Sequence, residues 1–146
     1  MIWKFNFIIP GDPKALKRHR TVKIGKFTRQ YDPSVEDKKD FLIKSLEHKP
    51  AIPYDEPLYL FVTFCFKRPK AHFGTGANLR KLKAWAPFWH ASTPDADNLA
   101  KFVCDSYNSI FWKDDSCISE MHIRKIYGEY PCVKVKIALQ SENPLE

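Results

Sequence analysis

Leu58-Tyr59-Leu60-Phe61-Val62-Thr63-Phe64-Cys65-Phe66 is apolar at nearly every position. Such a run predicts a central strand covered on both faces, because a half-solvated strand would alternate with polar residues. Upstream, Trp3, Phe5, Phe7 and Ile9 alternate with Lys4, Asn6 and Ile8, the pattern of a strand with one buried face. Pro10-Gly11-Asp12-Pro13 ends it. Residues 21–24 and 27–31 flank Gly25-Lys26, a two-residue hairpin turn in which Gly supplies the positive φ. Asp32-Pro33 predicts a helix start, an N-cap followed by proline at the first helical position. Val35, Leu42 and Leu46 give that helix an apolar stripe as far as about His48, before Pro50 and Pro53.

Downstream of the central run, residues 68–93 form a long connection without clear periodicity, the kind that is functional or mobile. Residues 97–108 read as a helix, and 118–127 and 133–139 as strands. The tail from Ser141 is expected to fray. The order β, hairpin, α, β, α, β, β predicts an α+β (mixed α/β) domain: one unit over residues 1–146, with a mixed sheet and two main helices.

Length and composition agree with one globular unit. The chain has 146 residues, 44% hydrophobic, with 11 Phe, 6 Tyr and 4 Trp. No apolar run approaches the roughly 18 residues of a membrane helix, and the N-terminus lacks a signal-peptide pattern. A cytoplasmic protein without a membrane partner is expected. Cys65, Cys104, Cys117 and Cys132 never form a CxxC pair, which favours reduced thiols over disulfides or structural zinc.

The net charge of +7 is unevenly distributed. Lys14, Lys17, Arg18, Arg20, Lys23, Lys26 and Arg29 lie in an acid-free stretch between Asp12 and Asp32. Lys67, Arg68, Lys70, Arg80, Lys81 and Lys83 form a second, with no carboxylate before Asp95. These 13 cations are more than half of the 24, so the remainder of the chain is net acidic. Segregation of this kind suits phosphate neutralisation on a nucleic acid, although solvated loops would look the same. Aromatics in and beside these stretches (Phe73, Trp85, Phe88, Trp89) suit stacking on unpaired bases, or burial in a core or dimer interface. His19, His72 and His90 are expected to be exposed or in contact with phosphate.

Between the strands lies a carboxylate constellation: Asp95 and Asp97, then Asp105, then Asp114-Asp115. On a helix over 97–108, Asp97, Lys101 and Asp105 fall at about 0°, 40° and 80°. Leu99, Phe102, Val103 and Ser106 fall between about 140° and 240°, so the apolar side can dock while an acid–lysine–acid row faces outward. Asp97 is expected at or near the N-cap, with Asp95 in extended backbone before it and able to reach the same cation. Singly, these residues are also an i,i+4 ion pair, a helix cap and a turn. Together they would repel one another unless a cation joined them. Carboxylates in a basic protein therefore point to a hard cation such as Mg²⁺ acting on a polyanion. No spacing supports zinc, a Ser/His/Asp triad or an organic cofactor.

The segment from Thr93-Pro94-Asp95-Ala96-Asp97-Asn98-Leu99-Ala100-Lys101 through Asp105 and Asn108 to Trp112-Lys113-Asp114-Asp115-Ser116-Cys117-Ile118 resembles the signature of RusA-type Holliday junction resolvases. Lys125, Pro131, Pro10 and Lys17-Arg18-His19-Arg20 fit the same family more loosely. The resemblance implies a small, usually homodimeric, Mg²⁺-dependent endonuclease, with Mn²⁺ as a substitute, that nicks opposed strands of a four-way DNA junction. Such proteins are often encoded by bacteria, phages or prophages. Asp95, Asp97 and Asp115 match the family's metal-binding catalytic acids, and Lys101 its catalytic lysine. Asp114 matches the first acid of the pair, whose part in metal binding stays open, and Asp105 matches a position read as structural. The 13 cations named above would hold the junction arms. Two departures stand out. Ser109 occupies a position usually held by Gly, which leaves Asn108 to supply the left-handed helix terminator, and Cys117 replaces a common Gln. A branched-DNA binder without cleavage and a flap or other structure-specific nuclease are the rival readings.

Overall fold

The computed structural model describes residues 2–140, so the tail from Ser141 lies outside the described residues. The elements are β1 (Trp3–Pro10), β2 (Arg20–Ile24), β3 (Phe27–Tyr31), α1 (Val35–Ser45), β4 (Leu58–Lys67), α2 (Ala96–Tyr107), β5 (Ile118–Gly128) and β6 (Cys132–Leu139). Four strands form a mixed sheet in the order β1-β6-β4-β5, and β2-β3 is a separate two-stranded ribbon. The architecture is the α+β one expected. β4 and β5 run parallel, which requires a long crossover; residues 68–117 supply it and carry α2. β6, the last of the described strands, lies between β1 and β4 and is antiparallel to both.

One face of the sheet makes the core. Phe7 and Ile9 of β1, Val133, Val135 and Ile137 of β6, and Leu58, Leu60, Val62 and Phe64 of β4 meet Phe41 of α1 and Leu99, Phe102, Val103 and Tyr107 of α2. Phe111 and Trp112 close the cluster beyond the end of α2.

Two expectations about faces need correction. β4 is central, but the helices cover only its Leu58–Leu60–Val62–Phe64 side; Tyr59 and Phe61 point to the other face, half-buried and outside the core cluster. Trp3 does not share a face with Phe5, Phe7 and Ile9. The register slips between Trp3 and Phe5, so Trp3 packs instead against Tyr59 at a tilt and against Phe61 edge to face. A bulge inserts one residue and inverts the alternation on one side of it.

The hairpin forms as expected, with Gly25 at φ 58° and every residue of both strands exposed. The helix after it starts later than expected. Asp32 Oδ1 accepts the Ser34 N–H at 2.8 Å and Ser34 is the N-cap, so the first helical residue is Val35. Its buried positions are Phe41 and Ser45, while Val35 and Leu46 are exposed and Leu42 is half-buried. Ser45 is buried because its hydroxyl bonds the Phe41 carbonyl and the Tyr107 hydroxyl, at 2.8 and 2.7 Å. After α2, Ser109 itself adopts the left-handed conformation, φ 68°, and Asn108 does not.

Residues 68–93 hold short turns and then run along β5: the His90 N–H donates to the Lys125 carbonyl and the Tyr127 N–H to that of Phe88. Trp85, Phe88 and Trp89 are exposed, none of them in the core. His72, expected at the surface, is buried beside Arg68, and His90 stacks on Phe66 at 3.9 Å.

Candidate active site

α2 begins where its sequence demands a start. Asp95, with extended backbone, is the N-cap, ahead of the Asp97 that the sequence suggests. Its carboxylate makes no capping hydrogen bond, and Asp95 remains exposed at the mouth of the helix. Asp97 is in the first turn, where the positive end of the helix dipole favours an anion. The helix buries Leu99, Phe102, Val103 and Ser106 as the 3.6 periodicity requires, leaving Asp97, Lys101 and Asp105 exposed in one row.

That row borders a groove of about 510 Å³ between α2 and β5. Asp97, Lys101 and Asp105 form one wall, Met121 and Ile123 of β5 the other, and Asp115 lies at the end near Ile118. α2 and the short turn before β5 thus bring Asp97, Lys101, Asp105 and Asp115 to one concavity, while Asp95 stands at the helix start and Asp114 turns aside. Asp114 Oδ2 accepts the Ser116 N–H at 3.0 Å and caps a short turn over Asp115–Cys117. Ser116, through its hydroxyl first and its N–H second, holds the Asp114 carboxyl below the ordinary carboxylate range. Asp115 differs: burial first, then the negative charges of Asp105 and Asp114, push its carboxyl up. Trp112 opposes this by donating its indole N–H to Asp115 Oδ1 at 2.8 Å.

Other contacts at the site lie beyond sequence reading. Lys38 of α1 reaches Asp105 at 3.7 Å while pairing with Asp32, so Asp105 ties the two helices together. Lys125 of β5 donates to the Ser92 carbonyl, three residues before Asp95, and holds the approach to the site. Lys101 lies 3.9 Å from Asp97, and both are well exposed, so this pair contributes little stability. Cys104 lines the groove, but burial pushes its thiol up to about 12, with Asp115 and Asp105 adding to the effect. No thiolate nucleophile exists there at neutral pH.

The acids fit a hard divalent cation in kind: carboxylate oxygens only, with one carboxyl pushed up by burial and neighbouring negative charge that a cation would offset. Among the described residues, however, no three His, Cys, Asp or Glu side chains stand close enough to form a ready-made ion site. Four of the five acids rest on partners of their own: Asp97 near Lys101, Asp105 near Lys38, Asp114 on Ser116 and Asp115 on Trp112.

The cations are placed unequally. Residues 14–20 run beside the start of α2, where the Leu16 N–H donates to the Asn98 carbonyl at 3.1 Å and the Lys17 N–H to Ser34 Oγ. Lys14, Lys17, Arg18, Arg20, Lys23, Lys26 and Arg29 are partly or fully exposed, with Lys17 Nζ 3.9 Å from Asp37. Lys67, Lys70, Arg80, Lys81 and Lys83 are exposed beyond the far end of β5. Arg68 is engaged within the fold, donating to the Pro87 carbonyl at 2.7 Å and lying over the Tyr127 ring. No described helix is long and apolar enough to cross a membrane.

A protein of Bacillus subtilis (strain 168) described as "Uncharacterized protein YqaN" is 30% identical over 135 residues, spanning 90% of this chain and 93% of its own length. The sequence profile of "Endodeoxyribonuclease RusA" matches residues 10–138, which takes in every element from the end of β1 to β6 and all of the groove's walls. The chain therefore belongs to the RusA endodeoxyribonuclease family.

Proposed function

We propose that this protein is a divalent-metal-dependent, structure-specific endodeoxyribonuclease that resolves four-way DNA junctions by paired symmetric nicks, acting as a homodimer. The observation that carries the reading is the exposed row Asp97–Lys101–Asp105 along one groove that Asp115 also lines, with the N-cap Asp95 at the start of the same helix.

Asp95, Asp97 and Asp115 would hold Mg²⁺ (or Mn²⁺), with Asp114 free to join by leaving Ser116. When bound, the cation supplies the Lewis acidity that makes hydroxide available at neutral pH and neutralises the phosphate. The chain's own groups do the rest. Lys101, one turn beyond Asp97, offers an exposed ammonium to the scissile phosphate and to the charge that develops on it. Trp112 fixes the rotamer of Asp115. Met121 and Ile123 make the groove's apolar wall and limit water at the site. Lys14, Lys17, Arg18 and Arg20 run beside the helix start and suit the phosphates flanking the cut; Lys23, Lys26 and Arg29 extend this along the ribbon. Lys67, Lys70, Arg80, Lys81 and Lys83 suit a second arm. Arg68 drops out of that set because it is already bonded within the fold. An isologous dimer would supply the two equivalent sites that paired nicks require.

A second reading, a branched-DNA binder that does not cut, draws on the absence of a three-ligand group among the described residues. Cleavage of a labelled synthetic four-way junction in Mg²⁺, beside a linear duplex and a flap, separates the readings. Paired nicks confined to the junction and lost in Asp97→Asn support the resolvase. Equal cutting of the flap makes it a broader structure-specific nuclease, and tight binding without nicks makes it a binder.

A further inference from the structure

The apolar run that predicts a doubly covered strand meets a helix layer on one side only. Its other side opens a sheet face that the function above does not use. Register fixes what stands there. Tyr59, Phe61 and Thr63 of β4 lie opposite Ala138, Lys136 and Lys134 of β6 on one flank, and Glu120, His122 and Arg124 of β5 on the other. The bulge in β1 adds Trp3, whose ring centroid is 5.6 Å from that of Tyr59 and 6.2 Å from that of Phe61. His122 stacks on Phe61 at 4.5 Å. The Arg124 guanidinium lies 4.7 Å from the Phe61 ring centroid, and the Lys136 ammonium 5.5 and 5.8 Å from those of Trp3 and Phe61.

The face therefore carries three aromatic rings, a histidine and the cations Lys134, Lys136 and Arg124; its acids are marginal, Glu120 bonding Gln140 at one end and Glu129 standing beside Lys134 at the other. Lys134 and Lys136 alternate with the core residues Val133, Val135 and Ile137 along β6, and Arg124 joins them from β5 across Thr63 of β4.

We propose that this open face is a second nucleic-acid site, distinct from the α2–β5 groove, that takes single-stranded DNA by base stacking. A flat sheet with aromatics flanked by cations matches what an unpaired strand offers: a π-face on every base and a phosphate at every step. A duplex hides its base faces and would use only the cations. A second copy of this chain is disfavoured by charge, because a two-fold interface sets a patch against itself and would bring Lys134, Lys136 and Arg124 of both copies together.

The test is binding of a fluorescent oligothymidylate of about 15 nucleotides to the whole protein in EDTA, where cleavage plays no part. Phe61→Leu keeps an apolar side chain on the strand, and Lys134→Ala with Lys136→Ala leaves the core untouched. Each is expected to weaken binding by about five- to a hundredfold, the range of one missing base–aromatic stack or a few phosphate contacts. Photo-crosslinking of a 5-iododeoxyuridine oligonucleotide to wild type should map to Trp3, Tyr59 or Phe61, a readout that does not depend on a variant folding. Crosslinks confined to residues 14–31 or 67–90, or unchanged affinity in both variants, would overturn the site. So would substitutions that turn a dimer into monomer while leaving oligothymidylate affinity unchanged, since the face would then join two copies. Because the groove's acids take no part, a failed junction-cleavage assay leaves this result standing, and the reverse also holds.

Discussion

The indole Nε1 of the fully buried Trp112 donates a hydrogen bond to Asp115 Oδ1 at 2.8 Å, so a core side chain sets the direction of a candidate catalytic carboxylate. The ring is wedged against Tyr107 and Phe111, and the carboxylate inherits that rigidity. Trp112→Phe keeps an aromatic ring in the core and removes the donor. Junction cleavage under single-turnover conditions should slow about ten- to a hundredfold, while junction affinity stays within about twofold. Stability should fall by about 1–3 kcal/mol from the smaller ring and the missing hydrogen bond. An equal loss of rate and affinity would mean that the whole groove had moved, and Asp115 would not be the point of action.

Metal binding can be read without catalysis. Mg²⁺ at saturating concentration should raise the melting temperature of wild type by a few degrees, as any ligand of the folded state does. Asp95→Asn with Asp97→Asn should abolish that rise. Thermal scans with and without Mg²⁺ measure it, and equal rises in both proteins would remove these two acids from the metal site.

Lys17→Ala with Arg18→Ala should weaken junction binding and lower the slope of log K against log salt by about 2, close to one for each phosphate no longer neutralised. Fluorescence anisotropy across a salt series gives the slope directly. Lys17 is 3.9 Å from Asp37, so the double substitution also frees that acid, and any loss of stability should be within about 0.5 kcal/mol. A slope unchanged from wild type would reject the N-terminal patch.

Asp32 offers a pH prediction away from the site. Its hydrogen bond and ion pair with Lys38, helped by the Ser34 N–H, hold its carboxyl below the ordinary 3.8. A carboxyl depressed in the folded state stabilises the fold above the unfolded-state pKa, and the gain disappears as pH falls through the folded value. Wild type should therefore be more stable than Asp32→Asn by a constant margin above about pH 5, and the margin should shrink below about pH 4. Melting temperatures across that range test the sign. A margin that grows toward acid would refute the pairing.

Much of this architecture is legible in the residues themselves. β1, β6 and the exposed row of α2 follow from alternation and 3.6 periodicity, because each buries one stripe against one partner, and β4 follows from its unbroken apolar run, although helices cover only one of its faces. The misreadings arise where a local event or a distant partner intervenes. A bulge sends Trp3 to the other face. Ser45 is buried because it bonds Tyr107, 62 positions away. Ser34 replaces Asp32 as the cap because the Asp32 carboxylate is already engaged by Ser34 and Lys38. At the candidate site, helical spacing places Asp97, Lys101 and Asp105 in one row, while the resemblance supplies the roles proposed for them and for Asp95 and Asp115. The bonds from Lys38, Lys125 and Trp112 join separate elements and leave no periodic trace, although Trp112 stands inside the acidic motif itself.

The position of β6 has a consequence for how the protein comes into being. The last of the described strands is an interior plank of the sheet, and without it β1 has no partner and β4 lacks one side. A nascent chain cannot assemble this core until Cys132–Leu139 has left the ribosome. Every contact that closes the sheet on both sides of β6 therefore forms late, and a chain stopped before Cys132 leaves β1 and one side of β4 with unpaired backbone.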